Sequence, residues 1–186
     1  DAQRRIGSKR GEANVLTNLA HIHIDRANYI AAAGLLKDSY QLCFGGGYKE
    51  EMARHHIAAA RYFSAMGRFQ KASEACSLAR QIYRDLGFPK GESEVYISEG
   101  DALRSVGKFN QALLAYRQSL NILRKSLIPT TGINYRIGTT LFRMGDYKSA
   151  LPLLVPAISF ARKHGSGDVF ALTSLGRLYL ATGKLE

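Results

Sequence analysis

Tryptophan is absent from this 186-residue chain, and cysteine and proline are scarce, with two and four copies. Two cysteines are too few for a disulfide-stapled scaffold. An apolar content of 46% with so little proline excludes a disordered or low-complexity chain. No run approaches the roughly 18 consecutive apolar residues of a membrane span. The opening Asp1-Ala2-Gln3-Arg4-Arg5 has no initiating methionine and is no signal peptide, so it reads as cut from something longer and is uninformative about targeting; a cytoplasmic location is the expectation.

Acidic residues are the other shortage. Fifteen Asp and Glu face 26 Lys and Arg, a formal net charge of +11. Seven basic residues and no acidic one lie between Ala102 and Gly145. A field of that sign favours an acidic protein segment, a nucleic acid or an anionic surface over a cationic partner. Chemistry-bearing constellations are lacking too. His21 and His23 are two apart and His55-His56 adjacent, so each pair is expected to diverge on a helix, and no metal site is expected. Gly45-Gly46-Gly47 lacks the Gly-Lys-Ser/Thr ending of a phosphate loop and reads as a flexible connector. No nucleophile–base or paired-carboxylate arrangement is legible, so neither catalysis nor a cofactor is expected.

What the sequence does contain is a repeat. Ala27-Asn28-Tyr29, Gly67-Arg68-Phe69, Gly107-Lys108-Phe109, Gly145-Asp146-Tyr147 and Gly183-Lys184-Leu185 follow successive apolar runs, at steps of 40, 40, 38 and 38 residues. Nine residues before the closing residue of each triplet stands a small one: Ala20, Ala60, Gly100, Gly138 or Gly176. Three residues after the first four comes Ala32, Ala72, Ala112 or Ala150, and seven further on Ser39, Ala79, Ser119 or Ala157. Small residues at fixed helical positions let two helix backbones approach, and apolar spacing near 3.6 flanks every triplet. Each unit is therefore a helix A, a tight turn and a helix B. The expected helices span 12–26 and 28–43, 49–66 and 68–86, 91–106 and 108–125, 131–144 and 146–163, with a last helix A from about 168 to 182. Pro152 and Pro156, inside the fourth helix B, predict a bend or break there. Cys76 falls on a packed helix face and Cys43 near a helix end, with nothing to pair them, and His23 sits in a core register.

Small-x-x-bulky followed by Gly-x-aromatic-x-x-Ala resembles the tetratricopeptide repeat. The step of about 40 is similar to the extended repeats of Pins/LGN adaptors and of Rap- and MalT-type regulators. The asparagine often found after the small residue in the Pins pattern is replaced here by His21, Arg61, Asp101, Thr139 and Arg177. The resemblance implies an all-α, right-handed superhelix of about four and a half helix-turn-helix repeats. As one domain over 1–186, these would cover about 12–48, 49–90, 91–127 and 131–166, with a partial unit at 168–186. Ile6-Gly7 aligns with Leu86-Gly87, so residues 1–6 are expected to end a preceding helix B, and the chain to be a piece of a longer array with open ends able to self-associate.

In such a solenoid the A helices line a concave binding face. That lining is expected to include Asn14, Asn18 and His21 from the first A helix, Arg54 and Arg61 from the second, and Asp101 and Arg104 from the third. The fourth contributes Tyr135, Arg136, Thr139 and Arg143, and the last Phe170, Ser174 and Arg177. Arginine forks pair with carboxylates and Tyr135 and Phe170 would anchor apolar groups, so the expected function is a non-catalytic scaffold holding an acidic peptide in the groove. Asp25, Glu94 and Asp101 would neutralise part of the wall, which favours Arg136, Arg143 and Arg177 over Arg54 and Arg61. An alternative is the ligand-sensing or oligomerisation domain of a regulator. A nucleic-acid binder is a third reading, disfavoured because the basic residues are not interleaved with stacking aromatics.

Overall fold

A computed structural model describes residues 2–163 together with Gly176, Tyr179, Leu180 and Gly183. Eight helices are described: α1 (Ala2–Asp25), α2 (Tyr29–Gly46), α3 (Lys49–Ala65), α4 (Phe69–Asp85), α5 (Pro89–Ser105), α6 (Phe109–Lys125), α7 (Thr131–Arg143) and α8 (Tyr147–Lys163). There is no strand among the described residues. The chain forms two compact units, Asp1–Ala102 and Leu103–Glu186. In the first, α1 pairs with α2 and α3 with α4, and α3 also packs on α1 and α2. In the second, α7 pairs with α8 and rests on α6.

The small residues of the repeat lie where helices cross. Ala20, Ala32, Ala60, Ala72, Ala112 and Ala150 are all buried, as are Ser39, Ala79 and Ser119. In the first unit Ala53, Ala60, Ala75, Cys76, Tyr83 and Val95 form one cluster, with Phe63 and Phe88 against its edge. Ala20, Leu36 and Ala58 form another, beside Tyr62. In the second unit Ala150, Leu154 and Ile158, on one stripe of α8, meet Leu141 and Phe142 of α7. A Cβ on Gly138 of α7 would lie 2.8 Å from Leu154 Cγ, so glycine sets that crossing distance.

The joints share one hydrogen-bond pattern. At the end of α3 the Gly67 N–H donates to the Ser64 carbonyl (3.0 Å) and the Arg68 N–H to the Phe63 carbonyl (2.8 Å). This closure needs a left-handed residue, and Gly67 has φ +70°. Two joints make the same bonds without glycine. Ala27 after α1 and Leu127 after α6 take φ 57° and 55°, and the Asn28 and Ile128 N–H groups close onto His23 and Leu123 at 2.9 Å. The following helices are capped by side chains where the sequence allows it. Asn28 Oδ1 accepts from the Ala31 N–H, and Asp146 Oδ1 from the Ser149 N–H.

Three local expectations are corrected. Helix α1 starts at Ala2 and passes through Ile6-Gly7, where the end of a preceding helix was expected. Gly45 and Gly46 continue α2 instead of forming a connector, and only Gly47 (φ 65°) turns the chain. Gly46 is needed for space, because a Cβ there would overlap the Tyr48 ring. Of the bend or break expected at Pro152 and Pro156, the break is absent, since α8 is helical from Tyr147 to Lys163. Both prolines are exposed and four residues apart, so the bonds they forfeit fall on the solvent side, where water hydrates the carbonyls. The core stripe of Leu154 and Ile158 holds the helix from the other face.

Tyr83 is fully buried, and a Cβ on Gly91 would overlap its Cδ1 and Cε1 atoms. Gly91→Ala should therefore lower unfolding free energy by about 1–3 kcal/mol despite alanine's better helix propensity. Urea denaturation followed by circular dichroism checks this, and an unchanged or raised midpoint contradicts it.

Candidate functional site

The arginines of the expected wall sit in unlike surroundings. In the first unit they are committed to neighbours, Arg61 one repeat away and Arg54 within its own helix. Arg61 donates through Nη1 to His21 Nδ1 and through Nη2 to Asp25 Oδ1, each at 2.7 Å. Positions 21 and 61 are equivalent in consecutive A helices, so the repeat itself brings them together. Arg54 donates to Glu50 Oε1 at 2.9 Å. Glu50 and buried Glu51 also take the fork of Arg10, and Asn14 Nδ2 lies 3.5 Å from Glu51 Oε1. Asn18 is exposed.

His21 is kept neutral. Burial, then the charge of Arg61, lower its pKa to about 4, against a smaller opposing pull from Asp25. The ring thus accepts from arginine and adds no charge to the wall.

In the second unit Arg104 Nη1 donates to Thr139 Oγ1 (3.2 Å), and Arg136 Nη1 reaches the Gly132 carbonyl (3.4 Å). Thr139 is buried and donates to the Arg136 carbonyl at 3.0 Å. Tyr135 is half-buried against the Ala150–Leu154–Ile158 cluster. The Arg143 guanidinium lies 5.1 Å from the centroid of the Phe109 ring. Asp101, at the end of the first unit, is half-buried. Phe170, Ser174 and Arg177 lie outside the described residues, as does most of the last expected helix A.

One feature was not legible as a site. Above α3, between α2 and α4, a cleft of about 600 Å³ is bordered by Leu36, Tyr40, His55, His56, Phe63 and Lys71 among others. The adjacent histidines were expected to diverge, yet their ring centroids are 5.4 Å apart and both border this opening. His55 is buried, and its Nδ1 has no hydrogen-bond partner. Burial, then His56, lowers its pKa to about 4. His23, expected to be satisfied in the core, is half-buried and likewise leaves Nδ1 unpaired. Cys43 and Cys76 are buried free thiols, and burial raises Cys76 to about 11, which leaves it unreactive. No group of three or more metal-ligating side chains occurs among the described residues.

Residues 52–125 match the tetratricopeptide repeat model. Solved structures extend the likeness to nearly the whole chain. Aspartyl phosphate phosphatase F from Bacillus subtilis superposes with a TM-score of 0.72 at 13% identity, covering 92% of this chain and 45% of that one. The chain has the tetratricopeptide-repeat fold. A STAND signal-transduction ATPase of Pyrococcus horikoshii with a tetratricopeptide repeat sensor also scores 0.72, at 16% identity over 94% of this chain and 28% of that one. A kinesin-light-chain-type protein of Podosopora anserina with nearly identical TPR-like repeats scores 0.65, at 18% identity, 94% of this chain and 89% of that one. The chain spans less than half the length of the first two, and at these identities the likeness is one of fold. Among curated proteins none matches the sequence. Tetratricopeptide repeats are in general interaction scaffolds and not catalysts, and no helix among the described residues is long and apolar enough to cross a membrane.

The two neutral histidines set a pH dependence for these repeats. His21 and His55 fall from an ordinary 6.5 to about 4 on folding, so the unfolded chain binds more protons below pH 6.5. The stability they contribute is fully present above that pH and is lost as pH drops toward 4. The urea midpoint should fall between pH 7 and pH 5, with a shallower fall in a His21→Gln/His55→Val double variant. Parallel pH profiles for variant and wild type would contradict the assignment.

Proposed function

We propose that this protein is a non-catalytic interaction scaffold whose second unit binds an acidic segment of a partner protein. The observation that carries this reading is the charge imbalance of residues 103–163, where ten Lys and Arg face a single carboxylate, Asp146. That carboxylate accepts the Ser149 N–H at the start of α8. The segment therefore cannot neutralise itself, whereas Arg54 and Arg61 in the first unit meet Glu50 and Asp25. Arg136 and Arg143, seven residues or about two turns apart, share one face of α7, with Arg104 bonded to Thr139 of the same helix. The aromatic support beneath Arg143 preorganises a planar fork whose in-plane donors suit a carboxylate. Thr139 and Tyr135 then act through packing, by fixing the helix that presents the arginines. Phe170, Ser174 and Arg177, outside the described residues, extend the same reading in the sequence, and Asn14, Asn18, His21 and Asp101 would set the polar wall of the first unit.

Fluorescence anisotropy with a labelled peptide of alternating Glu and Leu tests the proposal. Arg136→Glu/Arg143→Glu should weaken binding at least about tenfold, roughly 1.4 kcal/mol, with an unchanged circular dichroism spectrum. Arg54→Glu should leave it nearly unchanged. Equal binding by wild type and the double variant would refute the reading. Preferential capture of a single-stranded RNA oligomer, with a steep salt dependence, would replace it by nucleic-acid binding.

A further inference from the structure

The register of the repeat gives His55 an unusual place. Forty residues on, the same A-helix position holds Val95, and 38 further Ile133, both buried. In α3 the position holds an imidazole that is 6% exposed and whose Nδ1 lacks a hydrogen-bond partner. An unsatisfied buried polar atom destabilises a fold, and valine at this site would avoid the penalty. The unpaired atom also belongs to a residue bordering an opening. The cleft between α2 and α4 measures about 600 Å³, within the range of small-molecule sites, roughly 300–1,000 Å³. Its apolar walls include Leu36, Ala59, Ala75 and Leu78, and the rings of Tyr40 and Phe63 border it. The charges around it are unequal, with Lys37 and Lys71 against Glu74. Lys71 Nζ stands 5.8 Å from the Phe63 centroid, which puts a cation beside an aromatic wall.

We infer that this cleft in the first unit binds a small aromatic carboxylate, its ring system against Tyr40 and Phe63, its acid toward the lysine rim and a polar edge at His55. Aromatic walls suit a flat apolar body, and the excess of ammonium groups selects an anion over a neutral or cationic molecule. The inference stands apart from the acidic-segment reading, which concerns the second unit.

The test uses the full chain and 1-naphthoate, with 1-naphthamide as the uncharged analogue, followed by heteronuclear NMR titration. Naphthoate should shift amides of α2, α3 and α4 and bind about tenfold more tightly than the amide, a difference of about 1.4 kcal/mol. Lys71→Glu should erase that preference. Ala33→Trp, at an exposed position on the rim, should abolish binding of both without unfolding the chain. His55→Val should weaken naphthoate while raising the urea midpoint, a combination that a purely structural imidazole would not give. The inference is overturned if naphthoate does not bind at millimolar concentration or binds no better than the amide. Shifts mapping outside these helices, indifference to Ala33→Trp, or a lower midpoint for His55→Val would overturn it equally.

Discussion

Two helices can lie close together over many turns only where one of them carries almost nothing beyond its backbone at the crossing. In this chain that condition recurs at Ala20 and Ala60 and, as glycine, at Gly138, where Leu154 occupies the space a Cβ would take. The other features of the repeat follow from it. Larger side chains are displaced to the flanks of each crossing, as Phe63 and Phe88 are around the Tyr83 cluster. Deep burial then falls mostly on small residues, with Tyr83, Tyr116 and Leu154 among the large exceptions, so the core is rich in alanine and serine.

That economy of volume explains why the architecture was legible and the chemistry much less so. Alanine, serine and glycine recurring at matched positions in successive units leave few alternatives to stacked helix pairs, and the joints at Gly67, Gly107 and Gly145 mark the turns directly. The misread places were those where tertiary context overrides a local preference. Gly7 and Gly46 lie within helices, and Pro152 and Pro156 forfeit bonds only on a solvated face. Part of the side-chain pairing was also readable. The offset of one repeat aligns His21 with Arg61, so a contact between them could be anticipated, and Asp25 was expected to neutralise that end.

The cleft is a different case. It is built by parts of α2, α3 and α4 that no motif links, and its one polar oddity, His55, stands out only once the repeats are superposed and Val95 and Ile133 are seen in its place. Tyr135 shows the opposite situation. It was expected as an anchor for an apolar ligand group, yet its ring lies half-buried against α8. Hydrophobic periodicity distinguishes inward from outward faces of a helix, but not a ring that meets a neighbouring helix from one that meets a ligand.

The joints finally bear on how the molecule comes apart. Ala27 and Leu127 hold the left-handed conformation that glycine holds elsewhere, at about 1–2 kcal/mol each for the clash of Cβ with the backbone. Leu127 is also 93% exposed, so no packing offsets its strain. In a molecule whose elements touch mainly their neighbours, such points act as seams. Amide exchange should therefore proceed faster on either side of residues 27 and 127 than beside Gly67, giving the array built-in fault lines along which single helices detach while the rest stays folded.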